Sequence, residues 1–455
     1  MERIDGAPLP VLSWAPALED GARQQALDCA SLSVAFDHVA VMADGHQGYG
    51  VPIGAVLALR GALSPYAVGN DIGCGMAIVP TGLTREDLMA PVPTRSGGPG
   101  PIARDDLMGW VQTTVPSGNA THREPQVDAT VDRFLADAYD AMEEAAAHVG
   151  MALTTSQSPT PRSTDRLLTR HDFVHRGRVQ LGTLGSGNHF IELLVGPDDD
   201  VWVMLHSGSR GVGGAICNTF HRMALAHCDE RDHALPDPGL AWLPMAAGDE
   251  RWDPVGAAYE RALRAGLDYA EHNRRHMLEA VEAIVERRFP GAVRWEGMIN
   301  IHHNDATLEA HCGADVWVHR KGAVKASAGT DTITPGSMGT ATWIGEGLGN
   351  PESFASCSHG AGRTRSRGKA RQELSLQVEL ATVAAAGGKV FATSKGAVLD
   401  EMPGAYKDLD EVMAAQADLV RPVRRLTPLG TYKGSDARSR RKTKGKNKWR
   451  PDEER

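Results

Sequence analysis

The 455-residue sequence predicts an α+β fold, and three observations carry that reading. Short apolar runs rich in Val, Ile and Leu recur along the chain, as buried strands require. Segments with apolar residues spaced three and four apart lie among them in irregular order, which argues against a doubly wound βαβ sheet. Glycine is in excess, 50 of 455 residues, so many tight turns and close backbone approaches to a ligand are expected.

The strand runs are "HVAVM" (38–42), "IGAVLAL" (53–59), "VWVMLH" (201–206), "MINIHH" (298–303) and "DVWVH" (315–319). The spacing in "VDATVDRFLADAYDAMEEAAAHV" predicts a helix over 127–149. A longer helix is predicted within 254–288, ahead of Pro290-Gly291, and a third over about 369–385. Pro/Ser/Thr-rich stretches at 91–104 and 154–166 read as loops. They bracket the first helix, so 85–178 reads as a helical insertion in a larger sheet-based domain.

Hydrophobic residues make up 42% of the chain and aromatics 5%. A substantial core is therefore available, while recognition built mainly on base stacking is disfavoured. The six cysteines, Cys29, Cys74, Cys217, Cys228, Cys312 and Cys357, contain no C-x-x-C pair. That pattern fits a reduced, cytoplasmic protein better than a disulfide scaffold. No basic region followed by an apolar stretch opens the sequence, and no run of about 18 apolar residues occurs, so neither a signal peptide nor a membrane span is expected. Net charge is −9, yet 438–450 holds eight Lys/Arg and no acid. An acidic body with a basic tail suits a polyanion-binding arm, and equally a solvated tail.

The chemistry-bearing residues sit in glycine-rich settings. "GNDIGCGM" (69–76) places Asp71 and Cys74 three apart in a turn, able to aim a carboxylate and a thiolate at one point. Taken singly, Cys74 could equally be a small buried hydrophobe. "GTLGSGNHFIEL" (182–193) carries His189 and Glu192 behind glycines that let backbone N–H groups converge on an anion, without the Lys-Ser/Thr of a P-loop. "VMLHSGSRGVGG" (203–214) ends a strand at His206 and runs into Arg210. In "NIHHNDATLE" (300–309) His302 and His303 are adjacent, and on a strand only one of them reaches a given site. In "ESFASCSHGAGRTRSRGKARQ" (352–372) His359 precedes basic residues at alternate positions, Arg363, Arg365, Arg367, Lys369 and Arg371. Mixed O, S and N donors suit transition metals, and their number suits two ions sharing a ligand. Two metals, anion-cradling loops and an arginine run point to phosphate chemistry.

Together these stretches resemble the RtcB family of RNA ligases. The matching motifs run in order: "DGHQGYGVPIG" (44–54), "DIGCG" (71–75), "GSGNHFIE" (185–192), "LHSGSRG" (205–211), "HHN" (302–304), "RKGA" (320–323), "PGSMG" (335–339), "GLGNPESF" (347–354) and "SHGAGR" (358–363). The resemblance implies one large catalytic domain over 1–434, with central sheets flanked by helices, followed by a basic tail, 435–455. It implies a GTP- and manganese-dependent enzyme that joins an RNA 3′-phosphate or 2′,3′-cyclic phosphate to a 5′-hydroxyl, in tRNA splicing or RNA repair. His359 would be the nucleophile that takes GMP. Asp71, Cys74 and His189 would hold one Mn2+, and Cys74, His206 and His303 the other, with His303 chosen over His302 because it directly precedes Asn304. Around the guanylate would lie Asn188, Glu192, Asn304, Pro335, Gly336, Ser337, Met338, Thr342, Gly360, Ala361, Gly362 and Lys433. Arg210 and Arg363 would meet phosphate or RNA. An archease-type activator is left open as a partner. The chain departs from the family pattern in two places: Thr342 stands where a serine is expected, and 21 residues follow Gly434. Two other readings compete: an enzyme that caps 3′-phosphate ends with GMP without efficient sealing, and a non-catalytic RNA-binding protein.

Overall fold

All five apolar runs form strands: Ala35–Tyr49, Val51–Leu59, Asp200–Ser207, Ile299–His302 and Ala314–Lys321. They belong to a computed structural model that describes residues 1–93, 99–155, 166–245, 248–392 and 398–434. The strands assemble into two central sheets. The first has six strands in the order Glu2–Ile4, Val11–Ser13, Ala35–Tyr49, Val51–Leu59, Ala314–Lys321 and Asn304–His311. The second runs Ile299–His302, Gly75–Thr84, Asp200–Ser207, Phe190–Val195, Val420–Lys433, Thr342–Gly347 and Asp331–Pro335, with Val390–Ala392 added in parallel to Val420–Lys433. Most pairings are antiparallel and the helices flank the sheets, as an α+β fold requires.

The predicted first helix spans Ala129–Val149. Asp128 caps it by accepting from the N–H groups of Thr130 and Val131, and Gly150 ends it with φ at 72°. Its apolar stripe packs along the long helix Asp253–Val285. That 33-residue helix ties the two cores together. Val255, Tyr259 and Ala262 join the cluster under the first sheet, and Met277, Val281 and Ile284 join the cluster under the second. Within 85–178, Val131, Leu135 and Phe173 belong to the first cluster and Leu107, Met108 and Val111 to the second.

Two expectations are corrected. The helix over 369–385 is two helices, Arg367–Glu373 and Leu376–Ala385. The backbone turns extended at Leu374 (ψ 144°) and Ser375 (ψ 117°). The bend lets Glu379 accept from the Gly404 N–H at 3.0 Å and sends Val383 into a cluster with Met338, Val398 and Met402. Stretch 91–104 is not wholly loop. Pro91–Pro93 pairs with Pro99–Ile102, and a helix begins at Ala103. Most of the 154–166 stretch and the whole 435–455 tail lie outside the described residues. Among the described residues, no helix is long and apolar enough to cross a membrane.

The two sheets meet where the chain passes from Ile299–His302 to Asn304–His311. His303 is the junction residue. Its N–H donates to the Cys74 carbonyl at 2.8 Å, and its carbonyl accepts from the N–H groups of Gly322 and Ala323. The chemistry-bearing residues collect around this seam.

Candidate active site

The turn 71–74 is closed by the Cys74 N–H donating to the Asp71 carbonyl at 3.0 Å and anchored to Asn304: the Gly73 N–H donates to the Asn304 carbonyl at 2.8 Å, and Asn304 Nδ2 donates to the Asp71 carbonyl at 3.1 Å. Gly75 leaves no room for a Cβ, which would run into the Ile301 carbonyl of the paired strand. A Cβ at Gly208 would meet the Asp71 carboxylate instead, a side chain and not backbone. Close backbone packing therefore aims Asp71 and Cys74 at the ends of the strands that carry His189, His206 and His303.

Cys74 Sγ lies 3.2 Å from His206 Nε2 and 3.5 Å from His189 Nε2. His189 Nε2 lies 3.0 Å from Asp71 Oδ2, and His206 Nε2 lies 3.1 Å from His303 Nε2. Two donor triads result, Asp71–Cys74–His189 and Cys74–His206–His303, with Cys74 common to both. His189 Nδ1 faces the Leu184 carbonyl at 2.8 Å, which can keep a proton on Nδ1 when a cation takes the Nε2 lone pair. His303 Nδ1 faces Asn304 Oδ1 at 3.2 Å, to the same effect. His302 points elsewhere, 3.4 Å from Asp305.

Burial first, then Asp71, pushes the Cys74 thiol well above its usual range. Burial and the neighbouring imidazoles push His206 and His303 well below theirs. Burial alone would raise Asp71, but its contacts with His189 outweigh that and bring it down to about 2. Neutral imidazoles, a carboxylate and a thiol that a cation would ionise make a donor set suited to a transition metal. Both triads fit such an ion.

His359 follows the short strand Ser356–Ser358 and is held by Asp44, a fully buried carboxylate on Ala35–Tyr49. Asp44 Oδ2 lies 2.6 Å from His359 Nδ1 and accepts from the His359 N–H at 3.1 Å. Burial would raise the Asp44 carboxyl, yet His359, His46 and Lys407 hold it below its ordinary value. Among the described residues Nδ1 has no aligned hydrogen-bond acceptor, so the Asp44 carboxylate acts on the ring through charge at short range and through the backbone N–H. Gly362, with φ at 72°, lets the chain past the Asp44 carbonyl where a Cβ would collide. The His359 and His303 ring centroids are 4.6 Å apart, so this imidazole borders the metal triads.

Asp71, Cys74, His206, His303 and His359 open onto one cavity of about 290 Å³, while His189 is not part of its wall. Asn188, Glu192, Asn304, Pro335, Gly336, Ser337, Met338, Thr342, Gly360, Ala361, Gly362 and Lys433 all line it, with Asp71, Cys74, His206, His303 and His359. Thr342 opens the strand that pairs with Asp331–Pro335, opposite Pro335. The Ala361 N–H donates to the Pro335 carbonyl at 3.0 Å and joins the two glycine-rich walls. Glu192 accepts from the Thr431 hydroxyl, and burial pushes its carboxyl up to about 8. Burial brings the Lys433 amine down to about 8, and it donates to the His189 carbonyl at 3.3 Å.

The two arginines fare differently. Arg363 lines the cavity, but its guanidinium is engaged by Glu401, the Tyr406 hydroxyl and the carbonyls of Asp400 and Arg365. Arg210 is outside the cavity wall and donates to the Thr183 hydroxyl at 3.1 Å and the Gly118 carbonyl at 2.8 Å. Asp44, His46, Arg367, Glu401 and Tyr406 belong to the site without having been assigned a role from sequence. Asp44 and His46 were within the quoted "DGHQGYGVPIG". Nothing local marks Glu401 and Tyr406, which reach the site by long-range packing.

The profile of the family described as tRNA-splicing ligase RtcB matches residues 25–434. The RNA-splicing ligase RtcB of Escherichia coli K12 is 39% identical over 438 residues, covering 94% of this chain and 98% of that protein. The RNA-splicing ligase RtcB of Mycobacterium tuberculosis is 33% identical, covering 86% of this chain and 96% of that protein. The tRNA-splicing ligase RtcB of Aeropyrum pernix is 29% identical, covering 91% and 92%. With a family match spanning most of its length and relatives aligned nearly end to end, the chain belongs to the RtcB family.

Proposed function

We propose that the protein is a cytoplasmic RNA ligase that uses GTP and manganese to join RNA 3′-phosphate or 2′,3′-cyclic phosphate ends to 5′-hydroxyl ends, in tRNA splicing or RNA repair. The observation that carries the reading is the meeting, at one cavity, of two donor triads sharing Cys74 and an Asp44-held histidine.

His359 Nε2 attacks the α-phosphorus of GTP. An N–P bond forms, the bond to the β-phosphate oxygen breaks, and pyrophosphate leaves with the electron pair. Asp44 stabilises the charge that develops on the ring. The guanylyl group then passes to the RNA 3′-phosphate, giving an RNA-3′-pp-5′-G end. The 5′-hydroxyl attacks the activated phosphate and GMP leaves. A cyclic phosphate is first opened by water. Asp71, Cys74 and His189 would hold one ion, and Cys74, His206 and His303 the other. Bound manganese supplies Lewis-acid stabilisation of phosphoryl oxygens. Asn188, Asn304, Ser337 and Lys433 position the nucleotide, and Glu192 faces the guanine N–H donors.

The test is incubation with α-labelled GTP and manganese, beside His359→Ala. Wild type should retain acid-labile, alkali-stable label after denaturation, and the variant none. Label on both proteins would remove His359 from the role. End-labelled RNA then separates joined product from a GMP-capped end, which a capping enzyme would leave.

A further inference from the structure

We propose that Glu401 is an exchangeable counter-ion for the arginine corner of the cavity. It occupies the place at Arg363 and Arg367 that polyphosphate oxygens take, and so sets how tightly inorganic pyrophosphate is held there. The inference rests on the GTP reading above for its purpose, and on the following geometry for its content.

Glu401 is 4% exposed and lines the same cavity as His359, Arg363, Arg367 and Tyr406. One carboxylate oxygen, Oε1, is shared by Arg363 Nη1 and Arg367 Nε at 3.3 Å each. For Arg363 this is the longest of its hydrogen bonds, the others lying at 2.5 to 3.1 Å. Arg363 keeps closer anchors without it: the Asp400 carbonyl at 2.5 Å, the Arg365 carbonyl at 3.0 Å and the Tyr406 hydroxyl at 3.1 Å. The arginine would therefore stay oriented if Glu401 lost its charge. The neighbouring Asp400 carboxylate takes Arg371 at 2.8 Å and also lies 3.8 Å from Arg367 Nε.

At this corner the Glu401 and Asp400 carboxylates face three guanidiniums, Arg363, Arg367 and Arg371, so a positive excess remains for an anion. Phosphate oxygens make shorter, charge-assisted, often bidentate bonds to arginine and would displace a shared, long carboxylate contact. The same carboxylate repels pyrophosphate at short range. Its other oxygen accepts from the Tyr406 hydroxyl, which gives the displaced group a place to remain. When pyrophosphate departs, Glu401 returns to the arginines. The consequence is a corner that grips the triphosphate weakly enough to release the product.

The test is calorimetric titration of the full chain with inorganic pyrophosphate, without added metal, for wild type, Glu401→Gln and Glu401→Asp, with thermal unfolding of each. E401Q should bind pyrophosphate roughly tenfold more tightly or better, and E401D should return toward wild type. A purely structural role would lower the melting temperature and weaken binding, the opposite direction. Binding by E401Q no tighter than wild type overturns the inference, as does no measurable binding by either protein. Tighter pyrophosphate binding with no GMP label on any variant would leave the counter-ion role standing and remove the GTP reading. Normal labelling with unchanged pyrophosphate affinity would do the reverse.

Discussion

Asp44 Oδ2 sits 2.6 Å from Nδ1 of His359, and the carboxylate that makes this contact is fully buried. A buried carboxylate beside an imidazole stabilises the charge that the ring takes on. Asp44→Asn preserves shape and removes that stabilisation. Labelling of the protein by GTP should slow by roughly two to four orders of magnitude, as loss of the orienting acid does in other histidine-based sites, with manganese binding unchanged. Quenched-flow labelling checks the rate. A loss under tenfold would deny Asp44 this role.

The same carboxyl predicts an acid-side stability effect. Its folded value is held below the ordinary one, so its stabilisation is present above about pH 3.9 and is lost as pH falls through the lowered folded value. Asp44→Asn should flatten that part of the acid unfolding curve, measured by circular dichroism.

Cys74 is common to both donor triads, whereas His189 and His303 each belong to one. Cys74→Ala should therefore weaken binding of both manganese ions, while His189→Ala or His303→Ala weakens one. Since burial keeps the thiol protonated, taking up manganese at pH 7 should release about one proton for the shared thiolate. Titration in weakly buffered solution reads the proton directly. Equal metal stoichiometry in Cys74→Ala and His189→Ala would refute the sharing.

Glu192 gives a pH signature. Its carboxyl is raised to about 8 by burial, so in the unliganded protein its contribution favours folding at low pH. That contribution is fully present below the unfolded value of about 4.3 and is lost as pH rises through 8. Guanine, offering two N–H donors, binds the ionised form. GTP affinity should rise up to about tenfold per pH unit approaching 8 and fall above it as the Lys433 amine loses its charge, while Glu192→Gln keeps only the fall and loses preference for GTP over ATP by roughly ten- to a hundredfold. A rise in affinity below pH 8 that persists in the variant would move that titration to another group.

Gly208 tests the geometry of the seam. A Cβ there would strike the Asp71 carboxylate, a side chain that can swing aside, not the backbone. Gly208→Ala should fold with a melting temperature within a few degrees of wild type while losing metal affinity at the triad that contains Asp71. A variant that binds metal normally would show that Asp71 is not held where the triad needs it.

The fold class was legible because buried strands leave apolar runs and amphipathic helices leave a three-four spacing; the strands at 38–42 and 315–319 and the helix at 127–149 were readable in this way. The break at Leu374–Ser375 was not, because the apolar spacing continues across it and only the packing of Val383 against Met338 and Met402 rewards the bend. Residue types at the site were equally legible. A carboxylate, a thiol and histidines among glycines announce metal and phosphate chemistry wherever they converge.

Convergence itself was a tertiary decision. His303 rather than His302 faces Cys74 because the chain changes sheets at that residue, and the seam turns one side chain inward and the other toward Asp305. Arg363 carries a motif position, yet Glu401, 38 residues further on, determines how its charge is spent. The sequence by itself determined which chemistry the chain could assemble, since donor atoms and their ionisation are properties of residue type. The tertiary structure decided which donors share a point and which are neutralised by partners. The contacts that join the two triads and the Asp44–His359 pair bring together residues that are 97 to 315 positions apart in the chain.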